Sequence, residues 1–194
     1  MRLGVYVGSF NPVHKGHKAI VDFLLEKKYV DKILMIPTEN YWGKQNLIDT
    51  KYRLDMLKFY ENEKIIVTAK YGDFKYTNEI LTSLKNDFDD ELYLIIGADN
   101  LVKFHEWKSV DKILENKVVV LGRDDIDMES LIQKFEGKEN FVLIKDFPLI
   151  STSSTLVRKK IATKDCEDIE SLIDTRIYKY ICENNLYSLL EKGE

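Results

Sequence analysis

Two histidines near the start of the chain are spaced so that they could act together on one ligand. They are His14 and His17, in the stretch GSFNPVHKGH, and the chain contains only three histidines in all. Residues three apart share one face of a helix, and a helix start offers free N–H groups and a positive dipole that favour phosphate. Imidazoles add N–H donors, most strongly when protonated. The stretch predicts a phosphate site in which Ser9 is a further donor and Gly16 permits close approach.

A metal pair or a buried structural histidine is the competing interpretation of this H-x-x-H pattern. No cysteine or third histidine stands nearby to complete a metal site. The chain also lacks the G-x-G-x-x-G and G-x-x-x-x-G-K-S/T patterns of the common phosphate-binding loops. A phosphate site built from histidines is therefore the favoured interpretation.

A second stretch suited to phosphate is TSSTLVR, from Thr152 to Arg158, at the start of a predicted helix. Serine and threonine at a helix start cap free N–H groups or, together with those groups, bind phosphate oxygens. One turn further, Arg158 supplies a fork of donors that matches phosphate. By itself, a start rich in serine and threonine is usually only a cap.

A third stretch, GADNLVKFHEW, follows an apolar strand-like run. Gly97 permits close approach, and Asp99 could accept hydrogen bonds from ribose hydroxyls. Trp107 stands in a polar context, where its ring could stack on a heterocycle. The alternative is a core or interface tryptophan.

The elements that would position these residues alternate between strand and helix. Six short, continuously apolar runs are typical of strands buried on both faces of a parallel sheet. Helical spacing between them predicts an α/β fold with a doubly wound, Rossmann-like sheet. We expect one domain over 1–194, with a Rossmann-like core at about 1–150 and a helical C-terminal part at about 151–194. In such sheets ligands bind beyond the carboxyl ends of the strands, where the first and third stretches begin.

Composition narrows the classes of function. A net charge of −4 gives no basic bias towards nucleic acid or an anionic membrane. No apolar run is long enough to span a bilayer, and the N-terminus does not resemble a secretory signal. Two scattered cysteines, Cys166 and Cys182, fit a reducing cytoplasm. We expect a cytoplasmic protein with small-molecule substrates, while a homo-oligomeric state stays open.

At this point a family resemblance becomes clear. GSFNPVHKGH resembles the G-T/S-F-D/N-P-x-H-x-G-H signature of the nucleotidyltransferases with the HxGH motif, which attach a nucleoside monophosphate to a phosphorylated acceptor. TSSTLVR resembles their second signature, S-S-T-x-I/L-R, in its adenylyltransferase form, with Thr152 where the family more often has Ile or Val. G-x-D followed by a tryptophan eight positions later resembles the nicotinate-nucleotide adenylyltransferases.

The resemblance implies roles for residues in all three stretches. The expected catalytic residues are His14, His17, Ser9 and Arg158. The expected ATP-binding residues are Gly8, Ser9, Phe10, His14, Gly16, His17, Lys44, Gly97, Asp99, Ser153, Ser154, Thr155 and Arg158. The expected nicotinate-nucleotide-binding residues are Asn11, Lys44, Tyr76, Thr77 and Trp107. Trp107 would stack on the pyridine ring, and Asp99 would contact the adenosine ribose.

Two of these assignments rest on partial matches. Lys44 aligns with the lysine of the family's P-P-H-K loop, but here YWG replaces P-P-H. Tyr76 and Thr77 match the family's Y-T pair, with Glu79 in place of an aspartate. The structural alternatives are that Lys44 is a solvated loop lysine and that Tyr76 is a packing residue at a helix start.

The resemblance implies transfer of AMP from ATP to nicotinate mononucleotide, with Mg²⁺ carried by the ATP and no metal site in the protein. Ser9 and Asn11 also occur in relatives that use the nicotinamide form, so the choice between acid and amide stays open. Pantetheine-phosphate adenylyltransferase is a further alternative. From another class, a nucleotide-binding regulatory module without activity would also fit, although intact His14, His17 and Arg158 argue against it.

Overall fold

Six parallel strands form the central sheet in a computed structural model that describes residues 1–39, 41, 43, 46–122, 126–148 and 151–188. The strands are β1 (Arg2–Gly8), β2 (Lys32–Pro37), β3 (Ile65–Val67), β4 (Glu91–Gly97), β5 (Lys117–Leu121) and β6 (Phe141–Ile144). Their order in the sheet is β3-β2-β1-β4-β5-β6, and every neighbouring pair is parallel. The predicted doubly wound, Rossmann-like sheet is confirmed.

Helices connect the strands and follow the last one. They are α1 (Lys15–Glu26), α2 (Thr50–Lys58), α3 (Thr77–Asp87), α4 (Ala98–Val102), α5 (Val110–Ile113), α6 (Met128–Ile132), α7 (Ser154–Ala162), α8 (Ile169–Leu172) and α9 (Thr175–Glu183), with 3₁₀ turns at Phe104–Glu106 and Lys138–Asn140. No helix in the described ranges is long and apolar enough to cross a membrane.

The strands are apolar throughout because both faces of the sheet are covered. In β5, Val118 and Val120 belong to one hydrophobic cluster, while Val119 and Leu121 belong to the cluster on the opposite face. This is the period-two alternation of a strand, with both sides buried. The continuous apolar runs in the sequence follow directly from this burial.

The sheet reverses its winding direction between β1 and β4. Helix α1 buries Val21 and Leu24 in one cluster, and α3 buries Ile80 and Leu84 in the other, on the opposite face. The connections that leave β1 and β4 therefore diverge and open a crevice beyond the carboxyl ends of these two strands. Ligands of doubly wound folds bind at such a point.

The three C-terminal helices pack on the face of the sheet that carries α1. Val157 of α7 and Ile177 and Ile181 of α9 are buried in the same cluster as Val21. This packing brings the start of α7 beside the start of α1, although about 140 positions separate them in the sequence.

Candidate active site

The two signature histidines form the start of helix α1. His14 is its N-cap, and His14 Nδ1 accepts a hydrogen bond from the Gly16 N–H at 3.1 Å. His17 Nδ1 accepts from the His14 N–H at 3.2 Å. The two rings stack with their centroids 3.7 Å apart. This is a capping box built from imidazoles, and it satisfies two N–H groups that a helix start would otherwise leave unpaired.

The cap determines which nitrogen of each neutral ring carries the proton. A ring nitrogen that accepts from an N–H carries no proton, so each neutral ring has its proton on Nε2. Burial, and to a lesser degree the neighbouring His14, lowers the pKa of His17 well below 6.5. His17 is therefore a neutral N–H donor at pH 7, whereas the sequence suggested that a protonated imidazole would bind phosphate most strongly.

The start of helix α7 lies directly against the start of α1. Ser153 is the N-cap of α7, and its Oγ accepts from the Leu156 N–H at 3.1 Å. The Ser154 hydroxyl donates to the Pro12 carbonyl at 2.9 Å, which ties α7 to the loop before α1. Two helix N-termini thus face the same space, and their dipoles favour an anion there.

A cavity of about 350 Å³ opens between these helix starts and the ends of the central strands. Its lining includes residues of all three stretches that the sequence singled out. They are Gly8, Phe10, His14, Gly16, His17, Gly97, Asp99, Trp107, Thr152, Ser153 and Ser154. Segments far apart in the chain therefore meet at the crevice where the sheet topology predicts a ligand.

Gly16 is required by the packing around the histidines. A Cβ at this position would lie 2.9 Å from Thr152 Cγ2 and 3.0 Å from two atoms of the His14 ring. Any larger residue would push α7 and α1 apart or displace the imidazole. The G of the H-x-G-H pattern thus allows both helix starts to reach the cavity.

Trp107 lies at the β4 side of the cavity. Its ring packs against Phe104 at a centroid distance of 5.1 Å and is only partly buried, so part of it lines the cavity. Asp99 stands in the first turn of α4, and its carboxylate sits against Gly97, where a Cβ would collide with it. An aromatic face and an acceptor suited to hydroxyls are therefore both available.

Several expected residues are not part of the cavity lining. Asn11 is buried and donates to the Asn46 carbonyl at 2.7 Å. Arg158 Nη1 donates to the Asn11 carbonyl at 2.8 Å, so this guanidinium supports the loop before α1. The Ser9 carbonyl accepts from Arg53 Nη1 at 2.8 Å. Through these hydrogen bonds, the three residues hold the loop that leads into the two histidines.

The remaining expectations fall at the edge of the site or outside the described residues. Tyr76 and Thr77 stand at the N-terminus of α3, and neither lines the cavity. Thr155 is exposed in the first turn of α7, where its hydroxyl accepts from Arg158 at 3.3 Å. Lys44 lies outside the described residues.

Two residues that the sequence did not mark as functional take part in the site. Tyr6 lines the cavity from within β1. Arg53 is fully buried and donates to the carbonyls of Ile48 and Ser9 and to the Thr50 hydroxyl. An arginine inside an amphipathic helix is normally solvent-exposed, so only its buried partners reveal this role.

Carboxylates and thiols do not gather here in the manner of a metal centre. Within the described ranges, no three His, Cys, Asp or Glu side chains stand close enough together to hold a metal ion. Hydroxyls, imidazoles and helix N-termini instead surround the cavity, and these are donor groups suited to phosphate oxygens.

Comparison with known proteins agrees with this geometry. The cytidylyltransferase-like family model matches residues 5–160. A protein of Clostridium tetani named "Probable nicotinate-nucleotide adenylyltransferase" is 34% identical, with 94% of this chain and 97% of that protein aligned. One of the same name from Azobacteroides pseudotrichonymphae is 36% identical, with 96% and 99% aligned. In fold, the chain is similar to the Plasmodium falciparum nicotinic acid mononucleotide adenylyltransferase complexed with NaAD, with a TM-score of 0.82, 23% identity, and 98% of this chain and 99% of the other aligned.

Proposed function

Because the chain belongs to the cytidylyltransferase-like family and has nicotinate-nucleotide adenylyltransferases as full-length relatives, we propose that it transfers AMP from ATP to nicotinate mononucleotide. The products are nicotinate adenine dinucleotide and pyrophosphate. The observation that carries the proposal is one cavity that joins two helix N-termini, a pair of imidazoles and Trp107. Such a cavity offers anion-binding groups at one side and an aromatic face at the other.

The reaction needs positioning more than it needs a base. The second pKa of a phosphate monoester is about 6, so the acceptor phosphate is largely a dianion at neutral pH. One of its oxygens attacks the α-phosphorus of ATP in line, forming the new P–O bond. The bond from the α-phosphorus to the oxygen bridging it to the β-phosphorus breaks, and pyrophosphate leaves with the electron pair. No side chain has to remove a proton or become a nucleophile.

The histidines supply donors where charge accumulates. With both Nδ1 atoms occupied by the cap, the Nε2–H groups of His14 and His17 are the donors for α-phosphoryl oxygens. Such groups are already oriented before the substrate arrives, so no reorganisation is needed in the transition state. The capping box therefore sets the catalytic tautomer as well as the helix start.

The start of α7 suits the departing pyrophosphate. The N–H groups of its first turn and the Ser153 hydroxyl adjoin the α1 start, and Arg158 lies one turn further along. We assign this helix start to the β- and γ-phosphates. We expect Mg²⁺ to enter as part of the substrate MgATP, because the groups at the start of α7 donate hydrogen bonds to phosphate and are not carboxylate ligands.

Two lysines stand near Trp107, on the side where we place the pyridine ring of the acceptor. Lys108, next to Trp107, has its Nζ 4.2 Å from the centre of the Tyr76 ring and 3.5 Å from Glu79 Oε1. Lys75 Nζ approaches the same ring at 5.3 Å. These two lysines lie beyond Trp107, outside the cavity lining, and Glu79, Glu106 and Asp99 offset part of their charge. If the substrate reaches past the cavity lining, a lysine there would contact a pyridine carboxylate more favourably than a neutral amide, and the comparison of acceptors below tests this.

The test is pyrophosphate release from MgATP, measured in parallel with nicotinate mononucleotide, nicotinamide mononucleotide and phosphopantetheine. We expect the highest kcat/KM with nicotinate mononucleotide. A higher value with either other acceptor would replace this substrate with that one. Release with none of them, together with measurable ATP binding, would identify a nucleotide-binding module. The His17→Ala variant is the background control.

A further inference from the structure

We propose that the Tyr6 hydroxyl donates a hydrogen bond to a phosphoryl oxygen at the point where the two substrates meet. The inference rests on the proposed function, since it places two phosphorylated substrates in the same cavity. Tyr6 lies outside both signature stretches, and only the tertiary structure shows that it lines the site.

The ring of Tyr6 is held firmly at the floor of the cavity. It meets Phe10 edge to face with centroids 5.3 Å apart, and its centroid lies 6.1 Å from that of His17. Phe10 in turn contacts His17 at 5.0 Å. Three packed rings therefore leave the Tyr6 side chain little freedom, which reduces the entropy lost when a ligand binds.

The hydroxyl of Tyr6 has no acceptor among the described residues and is open to a ligand. No described residue exchanges a hydrogen bond with it, although Tyr6 is only partly exposed and lines the cavity. Burial, with a smaller contribution from the Asp99 carboxylate, raises the pKa of Tyr6 far above neutrality. The phenol therefore keeps its proton and can donate to a ligand oxygen that takes the place of water.

The position of Tyr6 indicates which part of the ligand this is. On one side stands His17, among the groups assigned to the transferred phosphoryl. On the other stand Asp99 and Trp107, at the β4 end of the cavity. Because the Tyr6 ring lies 6.1 Å from that of His17 and the Asp99 carboxylate is near enough to affect its pKa, we place the hydroxyl between the phosphate-binding end and the acceptor end. At that junction the acceptor phosphate approaches the α-phosphorus, and an anionic oxygen is the strongest available acceptor for a phenol.

The test is the Tyr6→Phe variant, which removes one oxygen and keeps the packed ring. Tyr93→Phe is the matched control, because Tyr93 is also a strand tyrosine but faces Arg2 and Glu91 away from the cavity. For each protein, kcat and the KM of both substrates are measured, together with thermal stability and the Kd for nicotinate mononucleotide and for its riboside, which lacks the phosphate. Hydrogen bonds to charged groups predict a loss of about tenfold or more in kcat/KM for Tyr6→Phe.

The pattern of loss identifies the oxygen. A loss confined to the KM of the mononucleotide assigns the contact to the acceptor phosphate, and a loss in kcat or in the KM of ATP assigns it to the α-phosphoryl. Constants within twofold of the wild type would overturn the inference, as would equal weakening of the mononucleotide and its riboside, which places the contact on the sugar. If the wild-type protein itself released no pyrophosphate with any acceptor, the proposed function would fail instead.

Discussion

The Tyr187 hydroxyl donates a hydrogen bond to Asn11 Oδ1 at 2.8 Å, across 176 positions of sequence. Asn11 also donates to the Asn46 carbonyl, and its own carbonyl accepts from Arg158. The loop that leads from β1 into the histidine pair is therefore held from three distant segments. Residues near the end of the chain stabilise the geometry of a site near its beginning.

Tyr187→Phe should lower the free energy of unfolding by about 1 kcal/mol, because it removes one buried hydrogen bond and leaves Asn11 Oδ1 with only the long bond from the Ile48 N–H at 3.4 Å. Urea denaturation measures this change. Tyr29→Phe is the control, since no described residue bonds that hydroxyl. Equal losses in both variants would show that the Tyr187 bond contributes nothing of its own.

Substitution should separate the roles of the two His17 nitrogens, the cap acceptor Nδ1 and the proposed donor Nε2. In His17→Asn, the side-chain oxygen can replace Nδ1 as the acceptor for the His14 N–H, but the Nε2 donor is lost. We expect kcat to fall by about 100-fold, or about 2.7 kcal/mol in the barrier, with nearly normal stability. His17→Ala should show the same loss of rate and, in addition, lose about 1 kcal/mol of stability with the cap. Steady-state kinetics and urea denaturation of both variants provide the comparison; near-normal turnover in either would remove His17 from the mechanism.

Gly16→Ala should damage activity through packing alone. The added methyl group would lie 2.9 Å from Thr152 Cγ2 and 3.0 Å from the His14 ring. Because neither neighbour is the end of a flexible chain, α7 or the imidazole must shift. We expect at least a tenfold fall in kcat/KM, together with a lower Tm. Thr152→Ser, which removes the closer methyl, should restore part of the activity in the double variant. Absence of any rescue would mean that the His14 contact dominates.

Stability should fall as the pH drops below about 6.5, and His17 should contribute to that fall. Burial lowers its pKa in the folded protein, so between the ordinary value and the lowered one only the unfolded chain takes up the proton. Protonation then favours unfolding. Between pH 7.5 and 5.5 the wild-type protein should lose more stability than His17→Asn, as measured by urea denaturation at each pH. Parallel losses in the two proteins would contradict the lowered pKa.

Trp107→Ala should raise the KM of nicotinate mononucleotide by about tenfold or more while changing that of ATP by less than threefold. The reason is that stacking of the pyridine ring would be lost at one end of the cavity only. Trp107 also packs on Phe104, so thermal stability is measured alongside. Equal increases in both KM values would identify a structural tryptophan instead.

The strands and the histidine site could be predicted locally. Most of each strand is an apolar run, and such runs reflect burial on both faces. His14, Gly16 and His17 owe their arrangement to helix geometry within four positions, so their spacing alone predicts that the rings meet. Local periodicity and local capping are properties that a sequence states directly.

Only the tertiary structure decided which hydrogen-bond partner each side chain has. In the ligand-free fold Arg158 donates to the Asn11 carbonyl, and the Asn11 side chain bonds Asn46 and Tyr187, while their roles in ligand binding stay predictions. Tyr6 looks like an ordinary strand residue, yet it lines the cavity. The sequence gives the donor and acceptor groups of each side chain. Its hydrogen-bond partner depends on which distant segments the packing brings within about 3 Å. For this reason the sequence alone determined the class of site, and the packing determined which residues line its cavity.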